Sequence, residues 1–354
     1  MKTGLMNLRD IGRLFILGFR GTEFSRELQS FLKDLNPSGV VLFSRNIKSP
    51  MQVAQLNHDL QVFGRASNGL FIGVDQEGGR VRRLKEGFTE FPPALELSSR
   101  PDPEASVRHF ARRTAEELTL TGFNLDFAPV MDVIGSPENL TSSVIGDRSF
   151  GFDPDKVARL GTTVIHEFRS KGIIPCCKHF PGHGGTLVDS HVDLPMDTRE
   201  FESIERLDLV PFRSAAKMQV EMMMTAHVLY PSMDKLLPAT LSGAILNGLL
   251  RERLSYGGIV ITDDLDMGAV ADRYSVEDAC TMAFTAGADL LLICNNPEKA
   301  FRARQRIFEA LQSGEIPESR LMDSITRIEK LKSAYMSSLV PCDMSAARNQ
   351  FGRS

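Results

Sequence analysis

Two stretches of this chain concentrate groups able to move protons and stabilise charge. The first, KHFPGHGGTLVDSHVDLP (178–195), carries Lys178, His179, His183, His191, Asp189 and Asp193. Pro181, Gly182, Gly184 and Gly185 argue against a helix, so it reads as a loop following the apolar run GIIPCC. Asp189 stands two residues before His191. A carboxylate at that spacing can hydrogen-bond one ring nitrogen, fix the tautomer and raise the basicity of the other, which suits proton transfer near neutral pH. A local capping hydrogen bond and a metal ligand set are the other readings of that pair. The second stretch, GIVITDDLDMGAV (258–270), places three carboxylates directly after an apolar run. Asp263 follows Thr262 at once. A carboxylate so placed suits a covalent nucleophile or a stabiliser of developing positive charge, with a helix N-cap as the alternative. Asp264 and Asp266 read as caps or solvated surface.

Four further groups stand after other apolar runs. In DQEGGRVRRL (75–84), Asp75 and Glu77 precede a Gly78-Gly79 turn. No GxGxxG or Walker pattern accompanies the glycines, and the carboxylates would repel phosphate, so a ligand bearing hydroxyls fits better. A structural salt bridge is the competing reading, more so for Glu77. Arg148, in GDRSFG (146–151), is either a solvated arginine or a guanidinium clamping two oxygens in a polar site. His227 ends the run MMMTAHV, at a site rim or in packing, while Met222, Met223 and Met224 read as core. HFPGH has His-x3-His spacing without the helix that would align both rings, and no HExxH is present, so no metal and no cofactor is expected. One ionised carboxylate, an Asp-assisted histidine and a set of hydroxyl-binding groups suit glycoside cleavage, with His191 replacing the usual second carboxylic acid.

The elements that must position these groups are legible as alternation. Apolar runs at 14–18, 39–43, 70–74, 124–128, 173–177, 221–226, 258–262 and 289–293 are each followed by an amphipathic segment. Those segments lie near 24–34, 50–63, 103–121, 154–170, 200–219, 241–254, 275–286 and 298–312, with another at 317–337. Eight strand–helix units are what a closed (β/α)8 TIM-type barrel requires; an open doubly wound sheet rarely needs so many. Ser49-Pro50, Asp102-Pro103 and Asp153-Pro154 pair a capping side chain with a helix-first proline. The connections 75–102, 129–153 and 178–199 are long, and in a barrel all three rise from the C-terminal face, where active sites sit. The expected organisation is one catalytic barrel over 1–340 and a polar, frayed tail over 341–354.

Composition narrows the partners. The 354 residues are 42% hydrophobic and 24% charged, enough for a large buried core. A formal charge of −4, with no dense run of Lys and Arg, argues against nucleic acid. The five cysteines include no CxxC and read as reduced and buried. No apolar stretch approaches the length of a membrane span, and the N-terminus lacks the pattern of a signal peptide. A cytoplasmic enzyme acting on a small carbohydrate is the expectation, with a monomer as the default oligomeric state.

Taken together, VDQEGGRVRRL, GDRSFG, KHFPGHGGT, VDSH, TAHV and GIVITDDLDM resemble the signatures of glycoside hydrolase family 3, and more narrowly its compact single-domain β-N-acetylglucosaminidases. The resemblance covers roughly residues 10–335. It implies a (β/α)8 barrel and retention of configuration through double displacement. It further implies that Asp263 forms the glycosyl-enzyme, that His191 oriented by Asp189 is the acid/base, and that Asp75, Arg148, Lys178 and His179 bind the terminal sugar. The implied substrate is a GlcNAc-1,6-anhydro-MurNAc fragment of peptidoglycan recycling. Many relatives read GHGDT where this chain has His183-Gly184-Gly185-Thr186, so the anchoring of that loop is expected to differ. A β-N-acetylglucosaminide phosphorylase, a broader β-glycosidase, a metal-dependent barrel hydrolase and a noncatalytic GlcNAc-binding protein are the rival readings.

Overall fold

The computed structural model describes residues 7–137, 140, 144–186, 194–336 and 342–352. Eight parallel strands close into one barrel: β1 (Phe15–Gly18), β2 (Gly39–Val41), β3 (Phe71–Val74), β4 (Leu125–Asp126), β5 (Ile174–Phe180), β6 (Met222–Thr225), β7 (Ile259–Asp264) and β8 (Leu290–Ile293). Each pairs with its sequence neighbours, and β8 closes on β1 with Phe15 opposite Leu291. Nearly every strand residue is buried, as expected of strands covered by side chains within the barrel and by helices outside it. The chain is therefore the (β/α)8 barrel that the alternation implies.

The helices start where the sequence supplies a cap. Ser49, Asp102 and Asp153 each accept a backbone N–H from the first turn of the following helix, α1 (Pro50–Gly64), α2 (Pro103–Leu120) and α3 (Pro154–Ser170). A proline occupies the first helical position of each, where its missing donor costs nothing.

Four expectations change. Strand β5 runs on through Lys178 and His179 to Phe180 rather than stopping at Cys177, so both candidate residues sit on the strand and not in a loop. Strand β7 continues through Asp263 to Asp264. The segment 200–219 is two helices, Phe201–Arg206 and Leu209–Lys217, because Pro211 cannot donate to residue 207 and its ring crowds that carbonyl. The tail does not fray: Asp343 caps a helix, α4 (Met344–Phe351), whose Ala347 and Phe351 are buried one turn apart.

Candidate active site

The C-terminal ends of the strands surround a basin of about 540 Å³. Asp75, Arg148, Lys178, His179 and Asp263 all line it, so five sequence-predicted residues from four strand ends meet at one site. Asp189 and His191, with Asp193, lie outside the described residues; the chain enters that segment after Thr186 and leaves it at Leu194.

The floor is a lattice of buried ion pairs. Lys178 Nζ donates to Asp75 Oδ1 at 2.7 Å and lies 2.7 Å from Glu77 Oε1. Arg148 grips Glu77 with both arms of its fork at 2.8 Å. Arg83 takes the second oxygen of Asp75 at 3.1 Å. Burial alone would raise the Glu77 carboxyl, but Arg148 and Lys178 overcome it and hold the group far below its usual range. Asp75 is likewise lowered against burial, by Lys178 and Arg83. The Lys178 ammonium is held well above its usual range by Asp75 and Glu77 despite burial. Asp75, Glu77 and Lys178 therefore stay charged. Glu77, left open by sequence, is 7% exposed and has its oxygens taken up by Arg148 and Lys178, which it orients. Asp75 is half-buried and paired with Lys178 and Arg83, and both carboxylates line the basin.

The turn that delivers these carboxylates needs its glycines. Gly78 and Gly79 have φ of 88° and 55°, and a Cβ on Gly79 would lie 2.9 Å from the Pro93 Cα. They form the corner of a hairpin, Gln76–Gly78 against Val81–Arg82, that turns Glu77 inward.

Asp132, not singled out by the sequence, supports two of the histidines. It is fully buried, and its carboxylate accepts His179 Nδ1–H at 2.7 Å, the His179 backbone N–H at 3.1 Å and the His183 backbone N–H at 2.7 Å. The bond to Nδ1 fixes the ring and leaves Nε2 for the basin. Burial opposes ionisation of Asp132, but His179 and these donors lower its pKa overall. The signal was present in PVMDV, an aspartate between apolar neighbours in the connection that follows β4. His183 is buried as well, pushed down to about 4 by burial and by the neighbouring His179, and its Nδ1 meets the Thr186 hydroxyl at 2.7 Å. It is a neutral ring fixing the start of the loop.

Asp263 stands half-buried on the basin wall, its Oδ1 accepting the Asp264 amide at 2.7 Å. Burial raises its pKa, but His227, His179 and that amide lower it further, so the carboxylate is ionised. It does not cap a helix. His227 is buried and hydrogen-bonded: Nε2 donates to the Asp264 carbonyl at 3.0 Å and Nδ1 faces the Thr240 hydroxyl at 2.8 Å. It thus packs behind the site and holds the backbone that carries the carboxylates. Asp264 and Asp266 are neither caps nor free surface. Asp264 accepts the amides of Asp266 and Cys294, and Asp266 pairs with Lys299. Among the described residues no three His, Cys, Asp or Glu side chains converge on a point that could hold a metal ion.

A barrel whose mouth sets the Asp263 carboxylate beside a floor of paired charges has the construction of a glycoside hydrolase. Residues 6–331 match the model of the glycosyl hydrolase family 3 N terminal domain, and the chain belongs to that family. It is 41% identical over 291 residues to a β-hexosaminidase of Thiobacillus denitrificans, covering 80% of this chain and 79% of that protein. A β-hexosaminidase of Pseudomonas aeruginosa is 37% identical over 298 residues, 82% of this chain and 86% of that one. Among solved structures, the family 3 β-N-acetylglucosaminidase of Paenibacillus sp. FPU-7 superposes with a TM-score of 0.89 at 35% identity, covering 98% of this chain and 68% of that chain. NagZ of Neisseria gonorrhoeae, solved with N-trifluoroacetyl-D-glucosamine, gives 0.78 at 30% identity, with 96% and 97% covered. The chain is a glycoside hydrolase closely related to bacterial β-hexosaminidases of the NagZ type.

Proposed function

We propose that the protein is a retaining exo-β-N-acetylglucosaminidase acting on terminal, non-reducing β-linked GlcNAc. The observation that carries this is Asp263: a carboxylate kept ionised despite burial, on the wall of a basin floored by paired donors and acceptors. Asp75, Lys178, Arg148 and His179 present donors and acceptors at close quarters, which a polyhydroxylated ring with an N-acetyl group can satisfy together. Asp263 attacks the anomeric carbon while the bond to the leaving oxygen breaks and His191, oriented by Asp189, gives that oxygen a proton. His191 then takes a proton from water as the water oxygen attacks the same carbon and frees Asp263. Two inversions retain configuration.

The relationship to the NagZ-type enzymes supports a GlcNAc-1,6-anhydro-MurNAc fragment of peptidoglycan as the natural substrate and the cytoplasm as the compartment. No described helix is long and apolar enough to cross a membrane. The test is mechanism-based labelling with a 5-fluoro GlcNAc analogue carrying a good leaving group, followed by peptide mapping. The label is expected on Asp263, with the β-anomer appearing first when products are followed by NMR. A label on another carboxylate, or inversion, sinks the assignment. Repeating turnover in phosphate and in an inert buffer separates hydrolysis from phosphorolysis by the product formed.

A further inference from the structure

Behind the basin, outside the groups so far assigned, lies a second cluster of buried charge. Arg199 sits between two carboxylates that are each 1% exposed. Its Nε donates to Asp197 Oδ1 at 2.9 Å, and Nη2 lies 2.9 Å from Asp208 Oδ2. Neither aspartate nor the arginine lines the basin, so the cluster does not bind the sugar. Two ionisable aspartates sunk around one guanidinium are costly to assemble unless they hold something in place.

What they hold is the chain on both sides of residues 187–193. On the entering side, the guanidinium is packed flat against Gly185: a Cβ there would fall 2.2 Å from Nη2 and 2.6 Å from Cζ. Asp208 packs on Gly182 in the same way, a Cβ there meeting the Asp208 Cβ at 2.5 Å, and the Tyr230 hydroxyl donates to the Gly182 carbonyl. On the leaving side, Arg199 and Asp197 belong to the chain itself. That chain is fixed to the connection after β6 by the Asp197 amide on the Leu229 carbonyl and the Leu229 amide on the Pro195 carbonyl, each at 2.9 Å. One guanidinium therefore ties the two stems together. A segment with pinned ends samples far fewer conformations than one with free ends. The absence of a side chain at position 185 is what lets the guanidinium reach across.

We infer that Arg199 is a positioning residue for proton transfer: by clasping Gly185 and Asp197 it holds the two stems from which the Asp189–His191 pair is presented. This rests on His191 being the acid/base. The same clasp accounts for glycine at position 185, where any Cβ would meet the guanidinium.

The test uses Arg199→Lys, which keeps the charge between the two aspartates but not the flat fork, and Gly185→Ala, whose Cβ would push on the Arg199 guanidinium and on the Asp197 carboxylate it pairs with. Both are compared with His191→Ala on an activated dinitrophenyl glycoside and on an alkyl glycoside with a poor leaving group. Arg199→Lys is expected to lose about 10²-fold in kcat/KM on the alkyl substrate, the scale of a misplaced catalytic group, and less than about 3-fold on the activated one. Added azide should accelerate turnover of the activated substrate and yield glycosyl azide, because a small anion needs no general base. Gly185→Ala should show the same pattern more weakly, and it keeps the test open if Arg199→Lys does not fold. Equal losses on both substrates without azide rescue, or no loss in either folded variant, overturn the inference while His191→Ala remains leaving-group dependent. A His191→Ala variant that is itself indifferent to the leaving group overturns both the acid/base assignment and this inference.

Discussion

Asp126 shows how burial sets the charge of a single side chain beneath the site. It is fully buried at the end of β4; one oxygen accepts the Gln76 amide at 3.0 Å and the other has no hydrogen-bond partner. Burial pushes its pKa up to about 8, assisted by Asp75 and Glu77 and opposed by the Gln76 amide and Lys178. The unfolded chain ionises this group near its ordinary value of about 3.9. Between those values the folded state holds a proton that the unfolded state has lost, so its contribution to stability is present at low pH and fades as pH rises through the window. The Asp126→Asn variant carries no such proton. Its stability relative to the native protein should climb by up to about 1.4 kcal/mol per pH unit from pH 4 and level off above pH 8. Urea unfolding of both proteins at pH 5, 7 and 9 measures it, and pH-independent differences would exclude a protonated Asp126. At this scale the sequence exposed the groups that line the basin, because strand-end Asp263, Lys178 and His179 stand out against apolar runs. It hid the supports: Asp132 acts through His179 and His183 of the next strand end, and Arg199 joins Asp197 to Asp208 across a turn, pairings that no motif marks.

At the scale of elements, alternation and caps sufficed to locate every barrel strand, but not the Gln76–Arg82 hairpin or where β5 and β7 end. Charged residues were read as loop, whereas Lys178 and Asp263 are tolerated within strands because their partners come from neighbouring strand ends. The opposite end of the barrel uses charge differently. Asp289, immediately before β8, receives Arg251, Arg320, Arg327, the Ser324 hydroxyl and the Val260 amide. It is completely buried, and the three arginines keep its pKa below the usual value against that burial. One side chain thus joins β7, β8, the helix Ala244–Arg253 and the helix Glu318–Met336. Asp289→Ala would leave three guanidinium groups without their common partner, at a cost of roughly 3–5 kcal/mol. Asp289→Asn should recover part of that by keeping the acceptor oxygen. Chemical denaturation resolves the difference, and a loss below about 1 kcal/mol would show the arginines to be satisfied by the carbonyls they also meet.

Across the whole molecule, chemistry and stability are segregated to opposite faces, with the outer surface closed by segments that touch neither. The C-terminal helix α4 is such a segment. Its Ala347 packs with Ala54 of α1 and with Cys342, flanked by Met51 and Met344. The Phe351 ring lies 5.3 Å from that of Phe88, and the Cys342 thiol donates to the Leu120 carbonyl at the end of α2. His58 Nδ1 meets the Cys342 carbonyl at 3.1 Å. None of residues 342–352 lines the basin. Composition alone suggested a frayed end, because a polar stretch buries its few apolar residues only when a complementary groove exists, here between α1 and Phe88. Removing residues 342–354 should uncover one aromatic and several small apolar side chains, costing about 3 kcal/mol at the usual value per buried side chain. The thermal midpoint should fall by several degrees, with kcat and KM on an aryl GlcNAc substrate unchanged below the transition. A midpoint equal to that of the full chain would show that the helix adds no net stability, and a fall in kcat in the folded, truncated enzyme would show that the tail supports the site after all.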